Sequence, residues 1–164
     1  MNVRCQSRLR WQQVLLALLL CSVAACVGEY SDGLEQKFVA RHQQFDELRI
    51  LTTQIAKTTS ITGYSVATTQ FLLEGDKFAS IPESLELFAS SRDQLIRIKA
   101  LVHELGLIEF SVTKDNSIYI MASTGGALGS SSGYIYDESK RLLKRTQKHK
   151  QIAGEQYWYV FLSS

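Results

Sequence analysis

Apolar positions change their spacing several times along the chain, and each change marks a predicted element. From Leu34 to Lys57 they recur at helical intervals: Leu34, Phe38, Phe45, Leu48 and Ile55 fall on one face, with charges between them. This predicts a helix that starts at Ser31 or Asp32 and fades within Thr52–Ser60, where serine and threonine accumulate. Tyr64 and Val66 alternate with Gly63 and Ser65, the period of a strand, which Phe71-Leu72-Leu73 prolongs before a turn at Gly75-Asp76. A short helix is expected over Pro82–Ala89. Ser91-Arg92-Asp93-Gln94 has the spacing of a capping box, and Leu95, Ile98, Leu101, Val102 and Leu105 then form an apolar stripe. Gly106 follows where a helix C′ glycine belongs.

Beyond Gly106 the period becomes two. Ile108, Phe110 and Val112 face Ile118-Tyr119-Ile120-Met121 across Lys114-Asp115-Asn116-Ser117, a predicted hairpin. Small residues run from Ser123 to Gly133. Tyr134-Ile135-Tyr136 reads as a third strand, and Tyr157-Trp158-Tyr159-Val160-Phe161 closes the chain as a strongly β-prone one. Helices first and paired strands later predict an α+β domain, two main helices packed on a small antiparallel sheet of about four strands.

The N-terminus follows no such period. Arg4, Arg8 and Arg10 precede an unbroken apolar run, Val14 to Leu20, and then Ser22-Val23-Ala24-Ala25-Cys26. A basic start, a short apolar core and a small-residue zone form the order of a secretory signal. A retained transmembrane helix needs roughly 20 apolar residues. Here the apolar stretch ends at Val27 and is broken by Ser22. The predicted layout is a signal peptide over 1–25, a lipidated tether over 26–33 and one α+β domain over 34–164.

Val23-Ala24-Ala25-Cys26 resembles the lipobox of bacterial lipoproteins. The resemblance implies that Val23, Ala24 and Ala25 are read by a signal peptidase and that Cys26 becomes the acylated first residue. The competing reading is an ordinary secretory cleavage near Ala25 that leaves Cys26 a free thiol. Each buried methylene contributes about 0.8 kcal/mol, so a diacyl or triacyl group exceeds what stable attachment requires. Val27, rather than aspartate, follows the cysteine. In the Gram-negative lipoproteins that this resembles, that choice implies transfer to the outer membrane, facing the periplasm; in any other bacterium the address is the cell membrane.

Composition sharpens this picture once the leader is set aside. The whole chain has 164 residues, three cysteines and a formal charge of +2. The 139 residues from Cys26 onward carry 15 lysines and arginines against 16 acids, a charge of −1, and keep one cysteine. Nucleic acid is therefore not an expected partner. A disulfide inside the domain is excluded, and a chain of this length buries close to 68% of its unfolded surface without one.

The later elements also resemble a group of small uncharacterised bacterial proteins, through Gly129-Ser130-Ser131-Ser132-Gly133-Tyr134 leading into a strand and the terminal Gly154 with Tyr157-Trp158-Tyr159. That similarity spans roughly the last 80 residues and implies a fold but no activity.

Candidate chemistry is sparse. Gly129-Ser130-Ser131-Ser132-Gly133 matches G-x-S-x-G, and Asp137 and His149 follow in the order of an α/β-hydrolase triad. The motif lacks the strand–turn–helix context of a nucleophile elbow, and a glycine/serine turn with positive-φ glycines explains it as well. His42, His103 and His149 lack ligand spacing, so no metal is expected. Gly125-Gly126-Ala127-Leu128-Gly129 has neither a dinucleotide nor a Walker pattern, so no cofactor is expected. Asp46, Glu47, Glu83, Glu86 and Glu104 single out no carboxylate pair.

Two surface features remain. Lys140, Arg141, Lys144, Arg145, Lys148 and Lys150 form a basic run, read either as a solvated loop or as a patch for anionic headgroups. Tyr157 and Tyr159 share one face of their strand, and become a binding surface only if that face is open to solvent. Together these readings predict a membrane-anchored lipoprotein with a non-enzymatic domain that binds an envelope partner. The alternatives are a small envelope hydrolase using the serine loop and an immunity-type lipoprotein that blocks a toxin.

Overall fold

The computed structural model describes residues 32–75, 77–124, 130–145 and 148–163. Helix α1 covers residues 32–40 and is separated from α2 (His42–Thr58) by a turn at Arg41. Three short strands follow, β1 (Ile61–Ser65), β2 (Gln70–Leu73) and β3 (Lys77–Ser80). Helices α3 (Ile81–Leu87) and α4 (Arg92–Glu104) lead to β4 (Glu109–Val112), β5 (Ile118–Thr124) and β6 (Ser131–Tyr136). The chain ends with β7 (Lys148–Gln151) and β8 (Trp158–Ser163).

The α+β class stands, but the small sheet does not. Among the described residues, four helices accompany one antiparallel sheet of eight strands, in the order β3-β2-β1-β4-β5-β6-β8-β7. Strands β3 and β7 have no sequence signal, and Phe71-Leu72-Leu73, expected to prolong β1, forms a separate strand β2 beyond a turn at residues 66–69. Each of the three has four residues, too few to display a period. In β7, Lys-His-Lys-Gln is exposed throughout and has no buried side chain to announce it.

The helices cover one face of the sheet. Phe38 and Phe45 pack with Tyr134 and Trp158, with ring centroids 4.6–6.1 Å apart. Leu48 and Ile55 of α2 and Leu95, Ile98, Leu101 and Val102 of α4 continue this core toward Ile61, Phe71 and Phe110. A bulge at Ile61/Gly63 lets Ile61 and Tyr64, three residues apart, both face the helices.

Two helix starts depart from expectation. The capping box forms at Ser80 and Glu83 of α3, not at Ser91 and Gln94. Ser80 is extended (φ −62°, ψ 160°), which aims its hydroxyl at the Glu83 N–H. Ser91 closes a 3₁₀ turn at φ −114°, ψ 11°, and its side chain makes no cap bond. At the other end of α4, Gly106 takes φ 56° as expected of a C′ residue.

Candidate functional site

The sheet face away from the helices differs from end to end. Strand registers place Phe78, Leu72, Gly63, Ser111, Tyr119, Ile135, Tyr159 and Gln151 in one row across all eight strands. Over β5, β6 and β8 this face is covered: Leu142 and Leu143 pack on Ile135, Tyr159, Phe161 and Tyr119. Over β3, β2, β1 and β4 it carries a groove of about 250 Å³ bordered by Ser65, Thr68, Gln70, Leu72, Phe78 and Glu109. Phe78 there is 58% exposed.

The cover is a strap, residues 137–145, that links β6 to β7 by crossing over β8. Asp137 holds its start. This carboxylate is fully buried and accepts from Ser117 Oγ at 2.9 Å, Ser139 Oγ at 2.9 Å, and the N–H groups of Leu142 at 2.8 Å and Leu143 at 3.1 Å. Burial alone would raise its pKa; the four donors reverse this and hold it below the ordinary carboxylate range. Asp115 shares the Ser139 hydroxyl and is lowered chiefly by its bond from Thr113. Sequence reasoning offered Asp137 only as a triad acid. Leu142-Leu143, an apolar pair inside a basic run, was the signal for a strap.

The basic run is thereby divided. Lys140, Arg141 and Lys144 lie on the outer side of the strap and are exposed, and Lys140 takes φ 57°. The Arg145 side chain falls outside the described residues. Lys148 and Lys150 sit on the helix face of edge strand β7, opposite Leu162 and Val160. Lys150 is committed: its Nζ lies 3.3 Å from Asp32 and 2.8 Å from Glu35. Hydrogen bonds to Glu35 and Asp32 raise the Lys150 pKa, and the same contact lowers that of Glu35. The lipobox residues Val23, Ala24 and Ala25, with Cys26, lie outside the described residues, as do 27–31 of the tether.

The other candidate groups are not assembled for chemistry. Ser131, Ser132 and Gly133 belong to strand β6 rather than to a turn; Gly129 lies outside the described residues. The Ser131 side chain hydrogen-bonds Tyr119, and Asp137 lies six residues along, about 20 Å at strand spacing. Gly133 needs no positive φ. A Cβ there would stand 1.9 Å from Ile120 O and 2.9 Å from Phe161 Cε1. Across this bare position the rings of Tyr119 and Phe161 stack, with centroids 4.4 Å apart.

Each histidine has its own setting. His42 lies between Glu155, 2.9 Å from Nε2, and Asp46, 3.7 Å from Nδ1. His103 is exposed near the end of α4, and His149 is on β7 facing Tyr159. Among the described residues no group of three or more His, Cys, Asp or Glu could hold a metal ion. Glu47 is paired with Arg97 through two contacts of 2.7 Å, which lower the Glu47 pKa. The terminal aromatics form no open platform: Trp158 is in the main core, Tyr159 is beneath the strap, and Tyr157 packs edge-on to Tyr136.

No helix among the described residues is long and apolar enough to cross a membrane. No family model matches the chain, and neither does any curated protein or solved structure.

Proposed function

We propose that this chain is a bacterial lipoprotein, acylated at Cys26, that displays a non-enzymatic α+β domain for binding another component of the cell envelope. The observation that carries the reading is Val23-Ala24-Ala25-Cys26 set directly behind a basic start and a short apolar run. The described core beginning at Leu34, within reach of such an anchor, is consistent with it. In a Gram-negative cell the address is the periplasmic side of the outer membrane, because Val27 follows the cysteine.

Binding is favoured over hydrolysis because the serine-loop residues have other work. Ser131 pairs in the sheet opposite Thr124 and Ser163, and the Asp137 carboxylate is filled by four donors. A toxin-blocking lipoprotein is one form of the binding reading, its partner a secreted protein. Intact-mass analysis of membrane-extracted protein tests the anchor. The expected wild-type species begins at Cys26 and carries an acyl mass that Cys26→Ala lacks. A wild-type protein without added mass overturns the reading.

A further inference from the structure

The start of the described chain is fastened to one edge of the sheet. Lys150 on β7 holds both Asp32 and Glu35, and Glu35 also accepts from the Ala153 N–H at 2.8 Å. In the same turn, the Leu34 carbonyl accepts from the Tyr134 hydroxyl at 3.1 Å. Helix α1 therefore begins against β7. Asp32 is six residue steps from Cys26, a reach of at most about 21 Å. The β3 edge lies seven strand spacings from β7, about 34 Å farther across the sheet. A lipid at Cys26 would keep the β7 edge, not the β3 edge, close to the headgroups.

Exposed positive charge runs along the strap, from beside the β4–β5 turn to the β7 edge. Lys140, Lys144 and Lys148 are exposed and have no ion pair among the described residues. Of the nearby acids, Asp32 and Glu35 are ion-paired with Lys150 and Asp137 is buried beneath the strap; Asp115 and Glu138, held by hydroxyl donors, keep their charge but are outnumbered by the exposed cations. Of the six-residue run, Lys150 is neutralised by two carboxylates, Arg141 faces Asp115 and the Arg145 side chain is outside the described residues, which leaves Lys140, Lys144 and Lys148.

We propose that the β7 edge and its strap rest on anionic phospholipid headgroups through Lys140, Lys144 and Lys148, so that the domain stands edge-on with β3 pointing away from the bilayer. This rests on acylation of Cys26. The lipid supplies attachment, and the three lysines set orientation, since the anchor confines them at high effective concentration near the surface. Screening limits such contacts to about 10 Å at 0.1 M salt.

The test uses the acylated full-length product, in which an introduced cysteine is the one free thiol. A fluorophore is placed at His149→Cys on the β7 edge or at Phe78→Cys on the β3 edge. Each protein is reconstituted in phosphatidylcholine vesicles, with or without phosphatidylglycerol, that contain a headgroup-level quenching lipid. The expected result is strong quenching at residue 149 and little at 78, only with phosphatidylglycerol, and its loss at 1 M salt. Each of Lys140→Glu, Lys144→Glu and Lys148→Glu should reduce the docked population by about fivefold or more while the circular dichroism is unchanged. Equal quenching at both positions, or quenching at 149 indifferent to phosphatidylglycerol, overturns the orientation and leaves the anchor standing. Intact mass on the same sample separates the two: an unmodified Cys26 overturns both.

Discussion

The two ends of the sheet face away from the helices solve the same problem differently. Both belong to one antiparallel sheet with helices on its other side, and such a sheet ordinarily turns polar residues to water. Over β1 to β4 that rule holds: Gly63, Ser65, Gln70, Glu109 and Ser111 occupy the face, with Leu72 and Phe78 as the apolar exceptions. Over β5, β6 and β8 it is reversed by Tyr119, Ile135, Tyr159 and Phe161. The difference is the route of one connection. Because β8 lies between β6 and β7, the chain from β6 must cross it, and the crossing brings Leu142 and Leu143 down as a cover. A second small core forms where the topology forces the chain overhead, and nowhere else on this face among the described residues.

If that account is right, the strap end is sensitive to substitutions that the open end tolerates. The largest effect is expected from Asp137→Ala. It leaves a buried hydroxyl and two N–H groups without their acceptor and should cost about 4 kcal/mol. Thermal unfolding followed by circular dichroism should show a Tm lower by about 10–15 °C. An unchanged Tm would break the claim that this carboxylate fastens the strap.

The two glycines come next, one at each end. Gly133→Ala drives a Cβ to 1.9 Å from the Ile120 carbonyl and into the ring stacked above, whereas Gly63→Ala meets Phe110 O at 2.6 Å. Overpacking predicts losses of about 3 and about 1–2 kcal/mol respectively in urea unfolding. The reverse ranking would place the tighter packing at the open end.

Acid should act on the strap in the same sense. The Asp137 carboxyl is held below its unfolded pKa, so the folded state binds fewer protons in that window. Its stabilisation is complete above the ordinary carboxylate range and is lost as pH falls below about 4. The partly buried Glu35 and Glu47 and the exposed Asp115 shift the same way. The acid limb of a Tm-against-pH curve should be shallower in Asp137→Asn, which cannot titrate.

The smallest effect belongs to the open end. Phe78→Ser removes a ring that is 58% exposed and should change stability by no more than about 0.5 kcal/mol. A loss of several times that would mean this face is packed after all.

Legibility in the sequence followed the same division. Helix α4 and the β4–β5 hairpin are readable because one side of each is buried and burial imposes a period, whereas β8, buried on both faces, is readable as an unbroken β-prone apolar run. The strands β2, β3 and β7 are short, and edge strands can be exposed on both sides, so β7 carries lysines that discourage edge pairing instead of an apolar signal. The capping box was a question of backbone: Ser-x-x-Gln and Ser-x-x-Glu read alike, and only the extended serine caps. For the candidate site, the proposed anchor motif is written in contiguous residues, whereas the strap depends on Asp137 meeting Ser117 from another hairpin. No local pattern encodes that meeting.

The position of β8 also has a consequence in time. The last described strand of the chain lies inside the sheet, with β6 on one side and β7 on the other. Until it emerges, the strap has no Tyr159 or Phe161 to cover, Phe38 and Phe45 lack Trp158, and β7 has no partner. Early parts of the chain cannot complete a core ahead of the late ones. If the chain carries the export signal proposed above, a fold that waits for β8 keeps the residues before it threadable while they are being delivered.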